Sequence, residues 1–160
     1  MIIRFERHAL RRRIAGPGLI ALCAALGPSV NAPNASEPPL SGPVAAQVLR
    51  VIDGDTIEVS ARIWLRQEIT IHVRLLGIDA PELSRARCPS EKERAEAARD
   101  RLADLVGAGP VRLFDIDDGK YADRVLAHVR TQTGSDIGET LLREGLARPY
   151  IGGRRQDWCG

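Results

Sequence analysis

Residues 67–78 read QEITIHVRLLGI, and their side chains alternate with a period of two. Ile69, Ile71, Val73 and Leu75 fall on one face of an extended strand, and Thr70, His72 and Arg74 fall on the other. Arg74 therefore belongs to the polar side of a strand whose other side is core. This run follows TIEVSARIWL (56–65) after a single charged position, a spacing that predicts a hairpin. VAAQVLRVI (44–52), VRLFDI (111–116) and RVLAHVR (124–130) are further strand-like runs, and LARPYI (146–151) is a last extended piece.

Two helices interrupt these runs. Ser90 is placed as the N-cap of the first, with Glu93 at capping-box spacing and Ala95, Ala98, Leu102 and Leu105 at helical intervals. Gly107 and Gly109-Pro110 stop it. Asp136 with Glu139 opens the second, which runs through Leu141 and Leu142 to Gly145. So many β-branched strands, with too little helix to cover a parallel sheet, predict a mainly β fold with helices. The most economical α+β arrangement is a five-stranded OB-like antiparallel barrel with two or three α-helices.

The ends of the chain differ from its middle. MIIRFERHALRRR is basic, and IAGPGLIALCAALGPSV is apolar but broken by prolines and glycines. That pattern is short for a membrane span and suits a signal peptide over residues 1–32, with an uncleaved membrane anchor as the alternative. Residues 33–43, PNASEPPLSGP, read as a disordered Pro/Ser linker to a domain at 44–160. The formal charge of +2 comes from the front end, where Arg4, Arg7, Arg11, Arg12 and Arg13 face only Glu6 and Glu37. Beyond residue 43 the chain is close to neutral, so a polyanion would be handled at a localised site and not on a broad cationic face. The expected destination is the periplasm or the medium. No stable protein partner and no membrane contact beyond the first segment are expected, and the chain is expected to be a monomer.

Two cysteines remain after Cys23, with no CxxC or Cys/His cluster of the kind zinc requires. In an exported chain Cys88 and Cys159 are expected to pair, the alternative being two unrelated buried thiols. Trp64 and Trp158 read as packing residues. His72 and His128 lie within strands, away from the acidic motifs.

Chemistry concentrates in two short stretches. Asp53-Gly54-Asp55 separates two apolar runs, and by itself such a tripeptide is an ordinary turn. Residues 74–82, RLLGIDAPE, then place Arg74 on a strand, Asp79 at its end and Glu82 in the loop beyond. Pro81 ends the strand, since it lacks an N–H to donate. If the hairpin brings Asp55 alongside, three carboxylates and an arginine share one barrel mouth. Such oxygen ligands suit Ca²⁺ or Mg²⁺, and arginines beside them suit an anionic phosphate.

VIDGDT (51–56), RLLGIDAPE (74–82), KYADRVLA (120–127) and LLREGLARPY (141–150) together resemble the staphylococcal-type thermonuclease family, over about residues 45–150. The resemblance implies an OB barrel that hydrolyses DNA and RNA with the help of Ca²⁺ and leaves 3′-phosphates. It implies metal ligation by Asp55, Asp79 and the backbone carbonyl of Ala80. It also implies catalytic roles for Arg74, Glu82 and Arg124, with Glu82 as general base. Lys120, Tyr121 and Tyr150 match nucleotide-contacting positions. Two departures stand out. Ala80 replaces a frequent threonine, and Asp123 is an additional residue beside Arg124, where it is able to pair with it. A non-catalytic OB-fold module that binds nucleic acid or protein is the alternative reading, and a phosphodiesterase of small substrates is a third.

Overall fold

A computed structural model describes residues 38–107 and 109–159. The expected signal segment, residues 1–32, and residues 33–37 of the expected linker lie outside the described residues. Strand β1 (Val44–Asp53) turns through Gly54 and Asp55 into β2 (Thr56–Trp64), and β2 pairs with β3 (Gln67–Leu75). The short β4 (Ile78–Asp79) and a loop lead to helix α1 (Pro89–Val106). Strands β5 (Pro110–Asp118) and β6 (Arg124–Arg130), helix α2 (Ile137–Arg143) and the short β7 (Arg148–Pro149) complete the order. No helix among the described residues is long and apolar enough to cross a membrane.

The five long strands close a barrel in the order β1-β2-β3-β6-β5, while β4 and β7 form a separate antiparallel pair. The barrel expected from the strand composition is present with its two helices, but it is mixed and not wholly antiparallel. β3 and β6 run parallel, with His72 beside Arg124 and Arg74 beside Leu126. A parallel pair needs a long crossover, and residues 76–123, which carry α1 and β5, provide it.

Ile57, Val59, Val73, Val111, Leu113 and Val129 fill the barrel, and Leu102, Ile137 and Leu141 extend that core under the helices. The period-two face of β3 is core only in its second half. Val73 and Leu75 are buried, whereas Ile69 is exposed together with Ile63, Trp64 and Leu65 at the far end of the hairpin. Trp64 is thus not a packing residue, because the β2–β3 hairpin extends past the part of the barrel that β1 and β6 cover. Trp158 is packed as expected, 5% exposed.

Helix α1 starts two residues earlier than an N-cap at Ser90 would place it. Cys88 is its N-cap residue without a side-chain cap, and Pro89 occupies the first turn. Proline suits that place because its missing N–H would have no helical partner there. Asp136 caps α2 as predicted, its Oδ1 accepting from the Glu139 N–H at 3.1 Å. The end of the expected linker is tied down: Leu40 exchanges two backbone hydrogen bonds with Ile116, each 2.8 Å.

Candidate active site

The turn between β1 and β2 is the foundation of the site. Asp53 pairs with Thr56, so Gly54 and Asp55 form a two-residue loop. Gly54 is required by crowding and not by its backbone angles. A Cβ there would meet Ala98 of α1 at 2.7 Å and Ala80 at 2.9 Å. This close approach presses the turn against both the helix and the loop after β4. The Asp55 carbonyl accepts from Leu75 N at 2.8 Å, which ties the turn to the end of β3.

Strand register then supplies Arg74, which lies opposite Thr56. Arg74 Nη1 lies 2.8 Å from the Asp55 carboxylate, and Nη2 donates to Asp79 Oδ1 at 3.1 Å. Both aspartates are buried, at 2% and 3% exposure. Asp55 also accepts from Thr56 Oγ1 at 2.8 Å and from the Ala80 N–H at 3.1 Å. Asp79 is held by the β4–β7 pairing, in which it lies opposite Arg148. The expected convergence of Asp55, Arg74 and Asp79 is therefore present.

Glu82 joins this group through a residue that the motifs did not indicate. Arg155 reaches back from the C-terminal segment: Nε lies 2.5 Å from Asp79 Oδ1, Nη1 donates to Glu82 Oε1, and Nη2 donates to the Ala80 carbonyl at 2.7 Å. The loop carrying Glu82 is shaped by Glu91, also missed, which is buried in the first turn of α1. Its carboxylate accepts from Glu82 N at 3.3 Å and from Arg87 N at 2.7 Å. A glutamate at the start of a helix reads from sequence as solvated, so no signal marked it.

A cleft of about 360 Å³ opens beside Asp55, lined by Asp53, Arg74, Glu82, Tyr121 and Arg124 among others. The Arg124 guanidinium lies over the Tyr121 ring at 4.8 Å, and Lys120 Nζ lies 5.8 Å from the same ring. Among the described residues no ion pair joins Asp123 to Arg124. Asp123 instead approaches His72 Nδ1 at 3.6 Å, while His72 Nε2 lies 3.3 Å from Glu58. His72 thus lines the cleft, contrary to the expectation that it stands apart, because the parallel register sets it beside Arg124. Tyr150 lines a second, mainly apolar cleft with Leu76, Leu126 and Ile151, and Arg74 borders both clefts. Its hydroxyl donates to the Gly153 carbonyl at 2.9 Å.

Burial raises the Asp53 carboxyl above the usual carboxylate range. The Gly54 N–H opposes this, and the nearby Asp55 charge reinforces it. Asp55 and Asp79 share Arg74, and Asp79 and Glu82 share Arg155. Two buried carboxylates, a backbone carbonyl and a further carboxylate make an all-oxygen donor set with excess negative charge. Those features fit a hard divalent cation. The cluster of Cys88, Glu91 and Cys159 does not, because its two sulfurs form a disulfide with Cα atoms 6.0 Å apart. The expected Cys88–Cys159 pairing is present, and it fastens the tail that carries Arg155.

Residues 72–157 match the model of the staphylococcal nuclease homologue family. The chain belongs to that family. It is 40% identical over 102 residues to endonuclease YncB of Bacillus subtilis, covering 62% of this chain and 44% of that protein. It is 34% identical over 113 residues to a micrococcal nuclease of Shigella flexneri, covering 65% and 57%. An uncharacterized endonuclease of Escherichia coli is 29% identical over 115 residues, covering 72% and 67%.

Proposed function

We propose that the protein is an exported, Ca²⁺-dependent nuclease that hydrolyses the phosphodiester bonds of DNA and RNA as a monomer. The observation that carries this reading is Arg74 seated between buried Asp55 and Asp79 at the wall of a cleft that Glu82 and Arg124 share. Membership of the family and the nuclease names of the relatives agree with it. Export is supported by the basic and apolar front end and by a disulfide, which persists in oxidising compartments.

Asp55, Asp79 and the Ala80 carbonyl are the groups that would hold the ion, which when bound supplies Lewis-acid polarisation of a phosphate oxygen. Glu82 takes a proton from the attacking water, whose oxygen bonds to phosphorus in line with the leaving 5′ oxygen. That oxygen departs as a hydroxyl after protonation from water in the open cleft, and the phosphate stays on the 3′ side. Arg74 keeps N–H groups beyond those used on the aspartates, and with Arg124 it donates to the phosphate oxygens as their charge grows. Tyr121 supports Arg124 from below, and Lys120, Tyr121 and Tyr150 contact the nucleotides.

The test is cleavage of long single-stranded DNA and of RNA with Ca²⁺, with Mg²⁺ and with excess chelator, followed by analysis of the new ends. Ca²⁺-dependent cleavage with 3′-phosphate ends is expected. Folded protein that binds but does not cut either polymer would instead favour a non-catalytic binding module.

A further inference from the structure

We propose that Arg155 is a built-in occupant of the cation seat, which a divalent metal ion enters only by displacing its guanidinium. The inference rests on the metal-dependent reading above and goes beyond it by assigning a residue that sets metal affinity. Each nitrogen of Arg155 serves a different group: Nε meets Asp79, Nη2 meets the Ala80 carbonyl and Nη1 meets Glu82. Two of these three are groups that would hold the ion, and the third is the candidate base. A planar, permanently charged fork satisfies carboxylates and a carbonyl as a cation would, and it takes up the lone pairs that metal ligation needs.

The tail around Arg155 is built to place it there. Gly152 and Gly153 adopt φ of +100° and +89°, angles that glycine takes without strain, as the chain approaches Arg155. Beyond Arg155, Trp158 is buried. Its Nε1 lies 3.4 Å from Asp79 Oδ2, and the Arg148 guanidinium covers its ring at 3.8 Å. Arg94 donates to the Trp158 carbonyl at 3.3 Å, Arg148 donates to the Asp157 carbonyl at 2.8 Å, and the disulfide holds Cys159. Fixed backbone and mobile head are compatible here. The Arg155 side chain is 32% exposed, so its guanidinium can swing into solvent while Trp158 and Cys159 stay in place.

The experiment is Ca²⁺ titration by calorimetry on the full chain, with Tb³⁺ luminescence excited through Trp158 as an independent probe. Arg155→Ala is expected to bind Ca²⁺ about tenfold or more tightly than the wild type, since several charge-assisted bonds no longer compete. Arg154→Ala removes the same charge from an exposed neighbour and is expected to stay within about twofold. Arg155→Lys keeps the charge without the fork and is expected to fall between, and it decides the matter alone if the alanine variant does not fold. Equal or weaker Ca²⁺ binding in both Arg155 variants while the wild type binds normally overturns the competition and leaves the metal reading intact. Absence of Ca²⁺ and Tb³⁺ binding in every variant overturns both.

Discussion

Arg74 Nη1 lies 2.8 Å from the carboxylate of Asp55, a residue of the β1–β2 turn that is almost completely buried. Removing one partner of a buried ion pair leaves the other uncompensated, at a cost of about 3–5 kcal/mol. Arg74→Gln is therefore expected to lower unfolding stability by about that amount, measured by denaturant titration in chelator. Added Ca²⁺ is expected to restore part of the loss, because Asp55 then regains a cationic partner. A variant as stable as the wild type in chelator would contradict this account of the pair.

Gly54 makes a second, purely steric prediction. A Cβ at 2.7 Å from Ala98 and 2.9 Å from Ala80 has nowhere to go without moving α1 or the loop that carries Ala80. Gly54→Ala is expected to cost about 1–3 kcal/mol, the usual range for overpacking. A compensating Ala98→Gly in the same chain is expected to recover part of it. Full stability in the single variant would show that the turn is looser than its contacts indicate.

The disulfide closes a loop with a sequence separation of 71, for which the chain-entropy model gives about 4 kcal/mol. Reduction is expected to lower the denaturation midpoint accordingly. Full-length protein unfolded without reductant is expected to titrate a single thiol, that of Cys23. Three free thiols would contradict the bond.

Arg101 donates two hydrogen bonds to Glu144, joining α1 to the end of α2, each 2.8 Å. These bonds hold the Glu144 carboxyl below the ordinary glutamate range. Because the folded value is depressed, the contribution is fully present above the unfolded glutamate value and is lost as pH falls through the folded one. Glu144→Gln is thus expected to lower the melting temperature slightly at neutral pH and to leave it unchanged in acid below that range. A deficit that persists at low pH would mean that packing, and not charge, is what the glutamate supplies.

The residues that carry local rules were legible in sequence. Alternation marked the strands and Asp136 marked its cap; the meeting of Asp55 with Arg74 and Asp79 hung on the hairpin bringing Asp55 alongside, which the register of Arg74 opposite Thr56 does. Other features depend on paths that no local pattern encodes. Arg155 reaches the site through a segment without periodicity, positioned by two glycines, a buried tryptophan and a bond to Cys88. Glu91 is buried because loop N–H groups turn toward it, which helical periodicity does not express. The parallel β3–β6 pairing follows from the long crossover, and the exposure of Trp64 follows from how far the hairpin overshoots its neighbours.

The central claim is that Glu82, together with the acids and arginine beside it, hydrolyses a phosphodiester bond. Its most direct measurement is the single-turnover rate of DNA cleavage in saturating Ca²⁺ for the wild type and for Glu82→Gln, with Ca²⁺ affinity measured on both. The account predicts a rate loss of about 10²-fold or more in the variant, within the range for a general base, with Ca²⁺ still bound. Equal rates for the two proteins would contradict it.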